Sequence, residues 1–143
     1  MKNLFLLIII PFLSFGQCEE EEYLISISST TGGWGYEMGW GLWDYETWMS
    51  ENGPENDNAL ALFQGQNDYE TTSFESCLSN DGCYMIAGYD SYGDGWNDGY
   101  IVVNINNSKA PTTYEMIGGT WDYWDFQINT KPCEWEIPGC TDP

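Results

Sequence analysis

Three aspartates at an even spacing of four residues, Asp90, Asp94 and Asp98, form the strongest candidate metal site in the sequence. The glycines between them let the backbone turn tightly. Counted from Asp90, side-chain oxygens fall at positions 1, 5 and 9 and a glycine at position 6, as in a calcium loop of the EF-hand type. We therefore predict that these carboxylates bind one Ca²⁺ together with the Trp96 carbonyl and water.

The same stretch departs from an EF-hand in its ligands and in its flanks. Position 3 is Tyr92, and position 12 is Ile101, where an EF-hand has a bidentate glutamate. Both flanking segments are rich in β-branched and aromatic residues, which favours strands over helices. The sequence thus predicts a calcium-bound hairpin loop with a dissociation constant on the order of 10⁻⁴ to 10⁻³ M. The alternative is an ordinary turn with solvated acids.

The N-terminal segment has the pattern of a secretory signal peptide. Residues 1–16 carry Lys2 and then an apolar run, which is too short and too interrupted by Pro11 to span a membrane. We expect cleavage before Gln17 and a secreted or cell-surface chain without membrane insertion. The expected domains are a β-sandwich at 17–133 and, at 134–143, a linker or the start of a truncated cysteine repeat.

Charge and composition restrict the classes of function. The chain has 23 acidic and 3 basic side chains, a formal charge of −20 and no histidine or arginine. Such a chain repels nucleic acid and anionic membranes and attracts divalent cations. Catalysis by Ser-His-Asp, by Cys-His or by a histidine-bound zinc is excluded within it. A carboxylate pair could still hydrolyse glycosides, but among so many acids no pair stands out, and we predict no enzyme.

Short apolar and aromatic segments separated by turn residues recur along the chain. The predicted strands include YLISISST, CYMIAGY, YIVVNIN and WDYWDFQI, whereas residues 46–58 have no apolar period and are predicted to be a surface loop. No window carries a capped helical stripe. About eight short strands at regular spacing predict an all-β fold, an antiparallel β-sandwich of jelly-roll kind.

The two halves of the chain resemble each other. Aligning the Gly-Trp pairs at 33–34 and 95–96 places Ser28 opposite Asp90 and Gly32 opposite Asp94. This pattern indicates an internal duplication in which the first loop has lost its acids. The alternative is chance likeness between glycine turns of β-hairpins.

Five cysteines in an exported chain indicate disulfides with one cysteine left over. Cys77 and Cys83 enclose a segment that can turn sharply, so we predict that they pair and that Cys18 pairs with Cys133. Duplication would instead give Cys18–Cys77 and Cys83–Cys133, one bridge in each half. Cys140 is the expected unpaired cysteine.

Residues 77–105, CLSNDGCYMIAGYDSYGDGWNDGYIVVNI, resemble a module repeated in secreted and cell-surface proteins of Bacteroidota. In that family a CxxxGCY strand precedes a DSYGDGWNG loop, and Asp98 stands where the family more often has glycine. The closing PGCTDP is similar to the start of a second short repeat of the same proteins. The resemblance implies a non-catalytic accessory or adhesion module that belongs to a longer multidomain protein.

The tryptophans suggest an alternative function. Trp34, Trp43 and Trp96 lie next to glycines or turns and are candidate surface rings for binding a glycan, whereas Trp40 and Trp124 fit core positions. The alternative is therefore a calcium-dependent carbohydrate-binding module attached to a secreted hydrolase.

We nevertheless predict that the isolated domain does not bind polysaccharides tightly. Trp121 and Trp124 are three residues apart and point to opposite faces of a strand. Only Trp34 and Trp96, brought side by side by the duplication, could form one platform.

Overall fold

The computed structural model describes residues 18–50, 53, 58–106 and 110–128. In them eight strands form two antiparallel four-stranded sheets, which confirms the predicted all-β sandwich. The strands are β1 (Glu22–Thr30), β2 (Met38–Asp44), β3 (Ala61–Gln64), β4 (Thr71–Ser79), β5 (Cys83–Asp90), β6 (Tyr100–Ile105), β7 (Thr112–Tyr114) and β8 (Trp121–Gln127). The predicted signal peptide at 1–16 and the segment 134–143 lie outside the described residues.

The core lies between the two sheets, β4-β1-β6-β7 and β3-β2-β5-β8. Side chains alternate between the two faces of a strand, so the inward residues of each sheet meet those of the other. Ile25, Ile27 and Ile101 on the first sheet are fully buried against a cluster that includes Leu42 and Ile86 on the second.

A short helix, α1 (Tyr45–Ser50), occupies the start of the segment predicted to be a loop. Asp44 Oδ1, at the end of β2, accepts hydrogen bonds from the backbone N–H groups of Glu46 at 2.9 Å and Thr47 at 3.1 Å. An aspartate in this position satisfies N–H groups that have no partner within the helix. No helix in the described part of the chain is long and apolar enough to cross a membrane.

The strand pairing has the two-fold pattern that a duplication predicts. β1 pairs with β4 as β5 pairs with β8, and β2 pairs with β3 as β6 pairs with β7. Between the halves, β1 pairs with β6 as β5 pairs with β2. Replacing each strand of the first half by its counterpart in the second therefore exchanges the two sheets.

The register of these pairs corrects the alignment made from sequence. Ile25, Ile27 and Ser29 form the buried, inward face of β1, and Ile86 and Asp90 lie on that of β5. The nearest match of these inward faces makes Ser29 the counterpart of Asp90. The sequence alignment placed Ser28 there, one residue away. A slip of one residue would move every side chain to the opposite face of the strand, whereas Ser29 and Asp90 are both buried.

The disulfide links Cys18 to Cys77, so the predicted pairs Cys77–Cys83 and Cys18–Cys133 are wrong. The prediction assumed that Cys77 and Cys83 end neighbouring strands, but β4 and β5 belong to different sheets. Cys18 instead precedes β1, which pairs with β4, and this brings the two Cα atoms within 5.4 Å. Cys83 is also disulfide-bonded. Cys133 and Cys140 lie outside the described residues.

Replacing both Cys18 and Cys77 by serine should lower the free energy of unfolding by about 2 to 4 kcal/mol, because the bridge closes a long loop in the unfolded chain. Urea denaturation of the double variant against the parent protein measures the difference. An unchanged midpoint and slope would show that the bridge does not constrain the unfolded chain.

Candidate cation site

Two loops meet at one end of the sandwich. Loop 1, residues 31–37, joins β1 to β2, and loop 2, residues 91–99, joins β5 to β6. Since β1 pairs with β6 and β2 with β5, the ends of all four strands lie together. The Gly33 N–H donates to the Asn97 carbonyl at 2.9 Å, and the Ser91 N–H donates to the Glu37 carbonyl at 3.1 Å. These two connections, which hold equivalent places in the strand pairing, are therefore in direct backbone contact.

Glycine makes this close approach possible. A Cβ atom on Gly32 would overlap the Asn97 carbonyl and crowd the Gly99 nitrogen. These are backbone atoms, which cannot move aside as the end of a flexible side chain can. Glycine at position 32 is therefore a requirement of loop packing.

Asp90, the last residue of β5, organises loop 2. Its carboxylate is fully buried, and its two oxygens accept hydrogen bonds from the Tyr92 N–H at 3.0 Å and the Gly95 N–H at 2.6 Å. Gly93 and Gly95 adopt positive φ angles of 84° and 99°, which glycine tolerates without steric cost. The loop thus turns around this carboxylate, as the spacing of aspartates and glycines predicted.

Loop 1 supplies a third carboxylate that the sequence did not reveal. Glu37, Asp90 and Asp94 each place an oxygen within 4.8 Å of the others. Glu37 is only 7% exposed and ends a 3₁₀ turn, Gly35–Glu37, whereas Asp94 is exposed on loop 2. Only the contact between the loops brings Glu37 to this position, so no spacing along the chain could have indicated it.

Among the predicted side-chain ligands, Asp98 does not join this group. Asp98 is exposed with a φ of 73° and lies outside the set of clustered carboxylates. The Trp96 carbonyl accepts a hydrogen bond from the Gly99 N–H at 2.7 Å. The structure therefore supports a carboxylate set of Glu37, Asp90 and Asp94 in place of Asp90, Asp94 and Asp98.

No cationic side chain from the described residues can neutralise these acids, because Lys2, Lys109 and Lys131 all lie outside that part of the chain. Partial desolvation and the Glu37 carboxylate beside it, which also forms a hydrogen bond with the tyrosine, raise the pKa of Tyr36 above its ordinary value. The site is thus an electronegative position with partly buried oxygen ligands, the ligand type that Ca²⁺ prefers.

An open cleft of about 280 Å³ adjoins the carboxylates, lined by Trp34, Tyr36, Glu37, Tyr92 and Asp94. The three aromatic side chains are exposed, and the Trp34 and Tyr36 rings meet edge to face at 6.3 Å. Trp34 adopts a left-handed conformation with a φ of 62°, which is uncommon for a bulky residue. Such outliers are concentrated at functional sites.

Trp43 and Trp96, which were expected at the surface, are each only 2% exposed. The Trp96 indole points into the core, where it contacts Trp124 and its Nε1 donates to the Tyr89 carbonyl at 2.9 Å. Trp43 lies against Trp48 of α1. Their surface exposure was therefore predicted wrongly, and among the three candidate tryptophans Trp34 alone offers an accessible ring.

The predicted core positions of Trp40 and Trp124 agree with the structure. Trp40 is buried and donates from Nε1 to Ser29 Oγ at 2.6 Å, and Trp124 packs against the core. Trp135 lies outside the described residues.

Comparison of the chain with protein-family models, curated proteins and solved structures found no match.

Substituting Gly32 by alanine should destabilise the fold by about 1 to 3 kcal/mol, because the new methyl group would separate the two loops. Gly118→Ala is the matched control, since a Cβ atom there has no neighbour within 4 Å. Its effect should stay within about 0.5 kcal/mol. Urea denaturation of both variants measures the change in unfolding free energy. An equal change in the two variants would contradict the close packing of loop 1 on loop 2 at Gly32.

Proposed function

We propose that this chain is a non-catalytic, calcium-stabilised β-sandwich module that serves as an accessory or adhesion unit of a secreted or cell-surface protein. The observation that carries the proposal is the meeting of Glu37, Asp90 and Asp94, contributed by both halves of the duplicated fold. The secretion-type N-terminal sequence and the Cys18–Cys77 disulfide are compatible with an extracellular location.

Calcium at this position would act on stability. Close carboxylates repel each other by about 1 kcal/mol per pair at 4 Å in a water-like medium, and more where they are partly buried. A divalent cation removes that repulsion and joins loop 1 to loop 2. Binding to the folded state alone then stabilises it by mass action.

The same geometry argues against a catalytic role for these carboxylates. A glycosidase needs two carboxyl groups that reach the scissile bond from either side. Asp90 is fully buried, and both of its oxygens already accept backbone N–H groups of its own loop. It is therefore placed to hold the loop and to face a small cation, and it has no access to a sugar.

The calcium response should depend on Glu37 and Asp94. With about 10 mM Ca²⁺ and a dissociation constant on the order of 10⁻⁴ to 10⁻³ M, the parent protein should gain about 1.4 to 2.7 kcal/mol of unfolding free energy over the protein in chelator. Glu37→Gln and Asp94→Asn should each lose most of this gain. Urea denaturation at constant ionic strength measures it.

Asp98→Asn is the matched control, because it removes one charge from the same loop without touching the clustered carboxylates. It should retain the full calcium response. If all three variants respond like the parent protein, calcium only screens the net charge and the site is an ordinary acidic turn. If Asp94→Asn and Asp98→Asn lose the response while Glu37→Gln keeps it, the ligand set inferred from sequence is the correct one.

A second function, calcium-dependent glycan binding, is favoured by the cleft. Trp34, Tyr36 and Tyr92 offer exposed rings beside the carboxylates, so a sugar could stack on a ring while its hydroxyls meet the metal. This arrangement differs from the Trp34 and Trp96 pair expected from sequence.

If that second function is correct, removing the Trp34 ring should weaken glycan binding by about tenfold, and a chelator should abolish it. Calorimetry with soluble polysaccharides, with and without calcium, tests Trp34→Ala against the control Ile117→Ala, which removes an exposed apolar side chain outside the cleft. Affinity that survives the chelator would exclude a metal-bridged mode.

A further inference from the structure

We propose that Trp121 and Tyr123 form a second binding surface, specific for uncharged polysaccharide and independent of calcium. Both residues lie on β8, an edge strand, two positions apart, so their side chains project from the same outer face of the sheet. They are 42% and 46% exposed. Their ring planes are parallel to within 6°, with centroids 6.4 Å apart. We call this pair the β8 aromatic surface.

Neighbouring rings hold the β8 aromatic surface in place. Tyr89, opposite Trp121 on β5, contacts it with centroids 4.8 Å apart, and Trp48 of α1 contacts Tyr123 at 5.4 Å. Trp48 is in turn packed on Trp43 at 5.0 Å. The two exposed rings thus lie within a continuous run of aromatic contacts from Trp43 to Tyr89. A surface fixed before binding loses less conformational entropy when a ligand arrives.

The buried rings in this run of aromatic contacts also pack against the outer face of the sheet. Met85 and Ala87 lie on the same outer face of β5, yet they are 1% and 0% exposed. Trp43 covers Gly41, where a Cβ atom would overlap the indole. Packing against the sheet therefore accounts for Trp43 and Trp48, but it does not explain why Trp121 and Tyr123 stay open to solvent.

The chemistry of the surface selects the class of ligand. Exposed aromatic rings pack against the apolar C–H faces of sugars, and the Trp121 N–H and the Tyr123 hydroxyl can bond to sugar hydroxyls. Asp125, which lies on the same face of the strand, adds a hydrogen-bond acceptor. A formal charge of −20, with no cationic side chain among the described residues, disfavours anionic polymers. A neutral chain rich in hydroxyls meets all of these conditions.

Tryptophans alone do not give this domain a platform for sugars, as the sequence predicted. Trp121 and Trp124 point to opposite faces of β8, since Trp124 packs against the core. The second ring of the surface is a tyrosine. It occupies the position two residues from Trp121 that shares its face.

The test is native affinity electrophoresis of the full chain in gels containing xyloglucan, mixed-linkage β-glucan or galactomannan, with pull-downs on cellulose and chitin. Each experiment is run with calcium and with chelator. We expect retardation or retention on at least one of these neutral glycans in both conditions. Trp121→Ala and Tyr123→Ala should each weaken binding about tenfold, whereas Ile117→Ala should have no effect.

Circular dichroism melting of each variant checks that it is folded, and Trp121→Phe, which keeps an aromatic ring, should restore most of the binding. No retention on any of these glycans, or equal retention of the alanine variants, would overturn the proposal. Loss of binding in Trp34→Ala or in chelator would assign glycan binding to the cleft at the candidate cation site. Retention on cationic chitosan alone, run in parallel and reversed by salt, would replace sugar stacking with charge attraction between a polycation and the acidic protein.

Discussion

The buried carboxylate of Asp90 is the group on which the functional end of this molecule depends. Burying a charge away from water costs free energy unless the charge is hydrogen-bonded or paired. The Asp90 carboxylate is hydrogen-bonded by two backbone N–H groups of loop 2. Those bonds fix the turn, and the turn determines where Asp94 lies. Loop 1 then brings Glu37 against the same position, so the fold concentrates negative charge at a point where the described residues provide no cation. A bound divalent cation would compensate this negative charge.

The two-fold pattern of strand pairing explains why Glu37 of loop 1 meets Asp94 of loop 2 beside Asp90 at the end of β5. The two halves exchange sheets, and their equivalent connections meet at the same end of the sandwich. The counterpart of Asp90 is Ser29, whose hydroxyl accepts the indole N–H of Trp40. In the first half, a neutral hydrogen bond in the core thus occupies the position that holds a charge in the second half. The strand pairing is therefore two-fold symmetric, whereas the carboxylate site is not.

The aromatic rings of the cleft and those of the β8 aromatic surface lie in different surroundings. In the cleft, Trp34, Tyr36 and Tyr92 lie beside carboxylates, so any ligand there meets the proposed metal. On the outer face of the second sheet, Trp121 and Tyr123 are held by other rings. The first surface should therefore respond to calcium and the second should not, which allows the two to be separated in one set of variants.

The sequence by itself determined the fold class, most of the strands and the turn around Asp90, because alternation of apolar residues and the demand for glycine at tight turns are local properties. It also indicated a likeness between the two halves, although with an alignment that set Ser28, and not the buried Ser29, opposite Asp90. Glu37 as a cluster member, the Cys18–Cys77 bridge and the burial of Trp43 and Trp96 were decided only by tertiary structure. Each depends on which strands become neighbours and which loops touch. Spacing along the chain does not encode that information, since β4 and β5 are adjacent in sequence and lie in different sheets.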